Sequence, residues 1–166
     1  MIALCLLLLL QRQTSNFDHD WRFHLGDVAG AQAPAFADSG WRTLDLPHDW
    51  SIEGEFSEQN HAGVAGGALP GGVGWYRKTF TVPAADSGKV VFAEFDGVYR
   101  NSEVWINGQY LGKRPYGYSS FRYELTPNVR FGAGRNVIAV RVDNSQQPNS
   151  RWYSGSGVYR HVRLVT

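Results

Sequence analysis

From Phe17 onward apolar and polar residues alternate with period two in several segments, and no long stretch repeats apolar positions at i, i+3, i+4 and i+7. The spacing therefore predicts strands. The clearest is 136–143 (Asn-Val-Ile-Ala-Val-Arg-Val-Asp), closed by the turn-forming Asp143-Asn144. Others are expected over 90–95 and over 75–82, the latter stopped by Pro83, which has no N–H to give to a ladder. Asn107-Gly108 stands between two alternating arms, 102–106 and 109–112, and that pair demands a type I′ hairpin. Shorter strands are expected over 20–25, 41–46, 121–125 and 158–164. About eight strands at this spacing make a two-sheet sandwich or jelly roll. One segment breaks the rhythm: Ser51 to Gly74 is glycine-rich and far longer than an ordinary connection of about 4–6 residues, which marks it as functional or unstructured.

Composition supports the all-β reading. Aromatics reach 14%, glycines number 19 and charged residues make up only 19% of the 166 residues, a mixture that suits pleated surfaces and tight turns. The length fits one domain with one core. Sixteen Lys and Arg against fifteen Asp and Glu leave a formal net charge of +1, with no basic stretch to neutralise a row of phosphates, so nucleic acid is not an expected partner.

The first fifteen residues read differently. Ile2 to Leu10 is an apolar run that is too short for a membrane span and resembles the core of a secretory signal peptide, so residues 1–15 are expected to direct export to the periplasm or the medium. Cys5 is the single cysteine and lies inside that run, which excludes disulfide and Cys-ligated zinc chemistry from 17–166.

Catalytic signals are weak. Glycoside hydrolysis needs two carboxyl groups at a set separation, but Glu94, Glu103 and Glu124 fall in expected strands and read as solvent-face residues. His48-Asp49 are adjacent on an extended chain, so their side chains point apart and do not form a base with its orienter. No nucleophile elbow or metal-ligand spacing appears, and Gly155-Ser156-Gly157 lacks the third glycine of a dinucleotide loop. No cofactor is implied. What remains is chemistry suited to a sugar: amides, carboxylates and aromatic rings in the loops 58–61 and 143–153. The ordinary role of a tryptophan in a sandwich is core packing, and most of the six are expected there.

Five motifs in order carry a resemblance: Leu46-Pro47-His48-Asp49-Trp50; Gly74 to Phe80 (Gly-Trp-Tyr-Arg-Lys-Thr-Phe); Phe95-Asp96-Gly97-Val98; Trp105-Ile106-Asn107-Gly108; and Ser156-Gly157-Val158-Tyr159-Arg160. Over residues 17–166 the chain resembles the N-terminal domain of glycoside hydrolase family 2, in its β-galactosidase-like branch. The resemblance implies a β-sandwich of the jelly-roll, galactose-binding-domain type. It implies too that the catalytic glutamates belong to a TIM barrel reached through an immunoglobulin-like domain, both outside these residues, so that the chain alone is inactive and no catalytic residue is expected in it. In that branch the first domain lends the substrate pocket an asparagine from a Glu-Asn-Pro-Thr-Gly-like loop, which falls on Asn60, although Gln59-Asn60-His61-Ala62-Gly63 lacks the Pro-Thr. It also lends a polar residue before the Ser-Gly-Val-Tyr-Arg motif, which falls on Asn149, with Arg151 next, beside Trp152. The implied partners are a β-galactoside-type sugar and the downstream domains. A free-standing carbohydrate-binding module and a purely structural domain are the alternatives.

Overall fold

A computed structural model describes residues 12–60, 62–146 and 154–166. Two antiparallel sheets face each other. The first has the order β1 (Thr14–Asn16), β10 (Val162–Val165), β5 (Phe92–Phe95), β8 (Phe121–Glu124); the second runs β3 (Arg42–Leu44), β2 (Trp21–Leu25), β4 (Gly72–Phe80), β9 (Asn136–Asn144), β6 (Ser102–Ile106), β7 (Gln109–Arg114). This is the all-β sandwich that the alternation predicts.

The core forms where the inward positions of both sheets meet. Val104, Ile106, Ile138, Val140 and Val142 from the second sheet pack with Ala93, Phe95 and Val162 from the first and with Leu125 just after β8, all essentially without exposure. Tryptophan behaves as expected: Trp21, Trp50 and Trp75 are buried. The 107–108 turn has both residues at positive φ, 50° and 83°, as a type I′ hairpin requires. Asn107 does more than turn the chain, since its amide reaches Asn128 O (2.7 Å) and its Oδ1 accepts from Val137 N (2.9 Å).

Three boundaries differ from expectation. Thr14 and Ser15, inside the segment read as a leader, pair with Val165 and Leu164, and Gln13 exchanges backbone hydrogen bonds with Thr166 (2.7 and 2.9 Å), so the fold starts before Phe17. β4 begins at Gly72 and not at Trp75, pairing with Asn144 on β9. β10 begins only at Val162, because 156–158 leave the ladder to bond elsewhere.

The outer face of the second sheet is covered by the β2–β3 connection, whose Val28, Ala31 and Phe36 pack against Trp75, Trp105 and Ala139. Arg77 on β4 pins this cover. Its guanidinium, almost fully buried, pairs with Asp38 (2.8 Å), donates to the carbonyls of Ala31 and Ala33, and lies 5.4 Å from the centre of the Phe36 ring. Asp27 ties down the near end: its hydrogen bond from Arg141 (2.7 Å) holds its carboxyl low, at about 2.

Candidate functional site

The motif Leu46-Pro47-His48-Asp49-Trp50 crosses one end of the sandwich and meets the Ser156-Gly157-Val158 motif there. His48 N donates to Val158 O (2.8 Å) and Trp50 N to Ser156 O (3.0 Å). Asp49 Oδ1 closes the crossing by accepting from Ser51 N (2.9 Å) and Ser156 N (2.7 Å). Gly157 is required at this crossing. Its φ is +126°, and a Cβ there would collide with Tyr76 Oη and His48 O.

Beneath the crossing runs a chain of polar side chains. Asn144 Nδ2 donates to Ser156 Oγ (2.7 Å), Ser156 Oγ shares a hydrogen bond with Ser51 Oγ (2.7 Å), and Ser51 Oγ donates to Pro70 O (2.6 Å). Asn144, Ser51 and Ser156 are buried. These four residues are the roots of two loops: Ser51 and Pro70 flank the glycine-rich segment, and Asn144 and Ser156 flank 145–155. Both loops in which sugar chemistry was expected thus spring from one hydrogen-bonded knot.

The histidine of the motif is structural. Tyr76 Oη lies 2.7 Å from His48 Nδ1 and accepts from Val158 N (3.4 Å), which leaves its own proton for Nδ1 and the imidazole proton on Nε2. That Nε2 lies 3.2 Å from Glu53 Oε1, off the line of a good hydrogen bond. Burial holds the His48 pKa below its ordinary value, opposed by Glu53, and pushes the Tyr76 phenol well above its own. Glu53 is kept ionised by a two-pronged contact with Arg42 (2.7 and 2.8 Å), which lowers its pKa. His48 and Asp49 do point apart, His48 to Tyr76 and Asp49 to backbone N–H groups.

Of the sequence-predicted pocket residues, Asn60 is half-buried in the glycine-rich loop, its Nδ2 donating to Glu55 O (2.7 Å) and Ala68 O (2.9 Å) and so bracing the loop from inside. Asn149, Arg151 and Trp152 lie outside the described residues, as does His61. Glu94, Glu103 and Glu124 point outward from their strands, as the solvent-face reading has it: Glu94 and Glu103 are half-buried beside their ion-pair partners Arg12, Arg122 and Lys113, and Glu124 is exposed. No group of three His, Cys, Asp or Glu is arranged to hold a metal among the described residues.

The sequence pattern of the sugar binding domain of glycosyl hydrolases family 2 matches residues 15–166. The chain belongs to this family. It is 65% identical over 153 residues to the β-galactosidase BoGH2A of Bacteroides ovatus, covering 92% of this chain and 18% of that enzyme. A putative β-glucuronidase of Formosa agariphila is 46% identical over 168 residues, 99% of this chain and 16% of that protein. Among solved structures, a β-glycosidase from Bacteroides vulgatus superposes with a TM-score of 0.89 at 53% identity, over 93% of this chain and 20% of that one. The chain thus spans less than a fifth of the length of the curated relatives named here, and in family 2 its fold is an N-terminal domain.

Proposed function

We propose that this domain works as part of a β-galactoside-cleaving family 2 enzyme, where it walls one side of the substrate pocket and braces the catalytic barrel. The knot of Asn144, Ser156, Ser51 and Pro70 carries this reading, because it fixes the roots of the loops bearing Asn60 and Asn149 to Trp152 against each other. Fixed loop roots let polar side chains meet a sugar without ordering costs at the moment of binding. The 65% identity to a β-galactosidase supports a galactoside over a glucuronide. Ile52, Phe56 and Val64, all more than two-thirds exposed on the glycine-rich loop, support a covered face in a larger assembly. The apolar run at 2–10 supports export to the periplasm or medium, which fractionation of the host would check.

A domain exchange tests the reading. Residues 13–166 replace the matching domain of the Bacteroides ovatus enzyme, and hydrolysis of nitrophenyl β-galactoside and β-glucuronide is compared. Galactoside turnover is expected to survive, with Asn60→Ala lowering kcat/KM roughly 10- to 100-fold, the cost of one or two lost polar contacts. The 166-residue chain alone is expected to show no turnover. A chimera that prefers the glucuronide sinks the galactoside assignment.

A further inference from the structure

Next to the knot, on the rim formed by Asp49 and Gly155, tyrosines gather from three separate parts of the chain. Tyr99, Tyr118 and Tyr159 line a shallow cavity of about 90 Å³ together with Asp49, Ser154 and Gly155. Tyr118 is 50% exposed and sits edge-on to Tyr99 at 5.2 Å; Tyr116, 64% exposed, sits edge-on to Tyr118 at 5.7 Å.

Core packing does not account for this group, since two of its four rings stand half or more in water. Chain flexibility does not account for it either, because the segment carrying Tyr116 and Tyr118 is held at two points. Tyr159 Oη donates to Gly117 O (2.9 Å) and Asn101 N donates to Pro115 O (3.3 Å), while Ser154 Oγ fixes the neighbouring Tyr99 by donating to its Oη (3.1 Å). The rings are therefore presented on a fixed frame, at the expense of keeping apolar surface wet. Asp49 completes the chemistry. Its Oδ1 is occupied by two backbone N–H groups, and its Oδ2 stands against Gly155 at the cavity wall, where any Cβ would collide with it.

We propose that this cavity binds one face of a neutral pyranose ring, with Tyr118 as the stacking platform and Asp49 Oδ2 as an acceptor for a sugar hydroxyl. The ring face supplies apolar C–H groups for the tyrosine, while hydroxyls at its edge meet the carboxylate and the phenols. Burial pushes the Tyr99 and Tyr159 phenols up, so both stay protonated at neutral pH; the Tyr159 O–H is already given to Gly117 O, which leaves its oxygen as an acceptor. The Asp49 carboxylate in the lining would repel the carboxylate of a uronic acid. The small volume limits contact to a single ring, so weak, millimolar binding is expected. The proposal rests on the sugar-handling role proposed above but uses neither Asn60 nor the 149–152 segment.

The test is a titration of the full 166-residue chain with methyl β-D-galactopyranoside and with methyl β-D-galacturonide, read by calorimetry and by saturation transfer from the tyrosine ring protons. Saturable binding of the galactoside is expected, with the galacturonide at least about 5-fold weaker. Tyr118→Ala is expected to weaken it roughly 5- to 10-fold and Tyr118→Phe by less than about 2-fold. Tyr118 is half exposed, so the variant should melt with the parent, and equal melting temperatures certify that affinity alone changed. No saturable binding up to about 100 mM, or binding indifferent to Tyr118→Ala, overturns the cavity assignment. Loss on Asn60→Ala with Tyr118→Ala unaffected also overturns it, while leaving the pocket-wall role intact. Tyr118-dependent binding in a chain whose domain exchange yields no galactosidase supports the cavity and rejects only that role.

Discussion

Asp49 and Ser156 stand 107 residues apart in sequence and are joined by a 2.7 Å hydrogen bond from the Ser156 N–H to the Asp49 carboxylate. The same oxygen caps Ser51 N, so one carboxylate fastens the crossing of two motifs and the start of the glycine-rich loop.

Removing that oxygen orphans a buried N–H. Asp49→Ala is expected to destabilise the domain by about 3 kcal/mol, two hydrogen bonds to a charged acceptor less what water restores. That corresponds to a fall in Tm of roughly 6–12 °C for a domain of this size. Asp49→Asn, which keeps an acceptor oxygen, should recover at least half of the loss in a calorimetric scan; equal losses in both would show that the acceptor is not what matters.

Arg77 and Asp38 give a second measurable pair. With Asp38→Ala the Arg77 guanidinium keeps only carbonyl partners in a buried position, and the expected cost is about 2–4 kcal/mol, somewhat below a fully buried pair because Asp38 is partly exposed. Replacing both, as Arg77→Met with Asp38→Ala, removes the orphaned charge and should be less damaging than Asp38→Ala alone. Urea unfolding of the three variants gives the comparison, and strict additivity would count against a coupled pair.

His48 predicts a pH dependence with a definite sign. Its folded-state pKa lies below the ordinary 6.5 because burial penalises the imidazolium, with Glu53 opposing and Arg42 assisting. The unfolded chain therefore takes up this proton first as the pH falls. The contribution to stability is complete above about pH 6.5 and is lost progressively below it, down through the folded-state value. His19 works in the opposite sense: its hydrogen bond to Asp45 (2.9 Å) raises its pKa, so its contribution is present at low pH and lost as the pH rises. In a His19→Gln background, the stability lost between pH 7 and 5 should shrink when His48→Asn is added. An unchanged loss would assign the acid sensitivity to other groups.

Alternation and turn chemistry are local properties, and the elements they control were readable in the chain. Asn107-Gly108 produced its hairpin, and Val137 to Val142 their central strand, because each is specified by residues within a few positions. Where β10 begins was not readable that way. Val158 and Val162 are both buried, which suits a strand, but Gly157 at positive φ carries 156–158 across to His48 and Trp50, partners more than 100 residues away. For the same reason the knot is not legible in the sequence, since two serines, an asparagine and a proline carbonyl say nothing until the fold brings them together. Tyr99, Tyr118 and Tyr159 are equally silent, each unremarkable in an aromatic-rich sequence and meaningful only as neighbours. The family motifs were legible as an ordered series, yet their roles prove largely architectural: Trp50, Tyr76 and His48 hold one another and face no solvent.

The pairing of Gln13 with Thr166 sets how the domain answers to tension. β1 and β10 run antiparallel, which puts Gln13 and Thr166 at the same end of the ladder. A pull applied at Gln13 and Thr166 therefore loads the β1–β10 hydrogen bonds one after another, as a zipper, and not all together in shear. In a single-molecule experiment β1 would peel away at low force while the core strands β4 and β9, joined over nine residue pairs, stay closed.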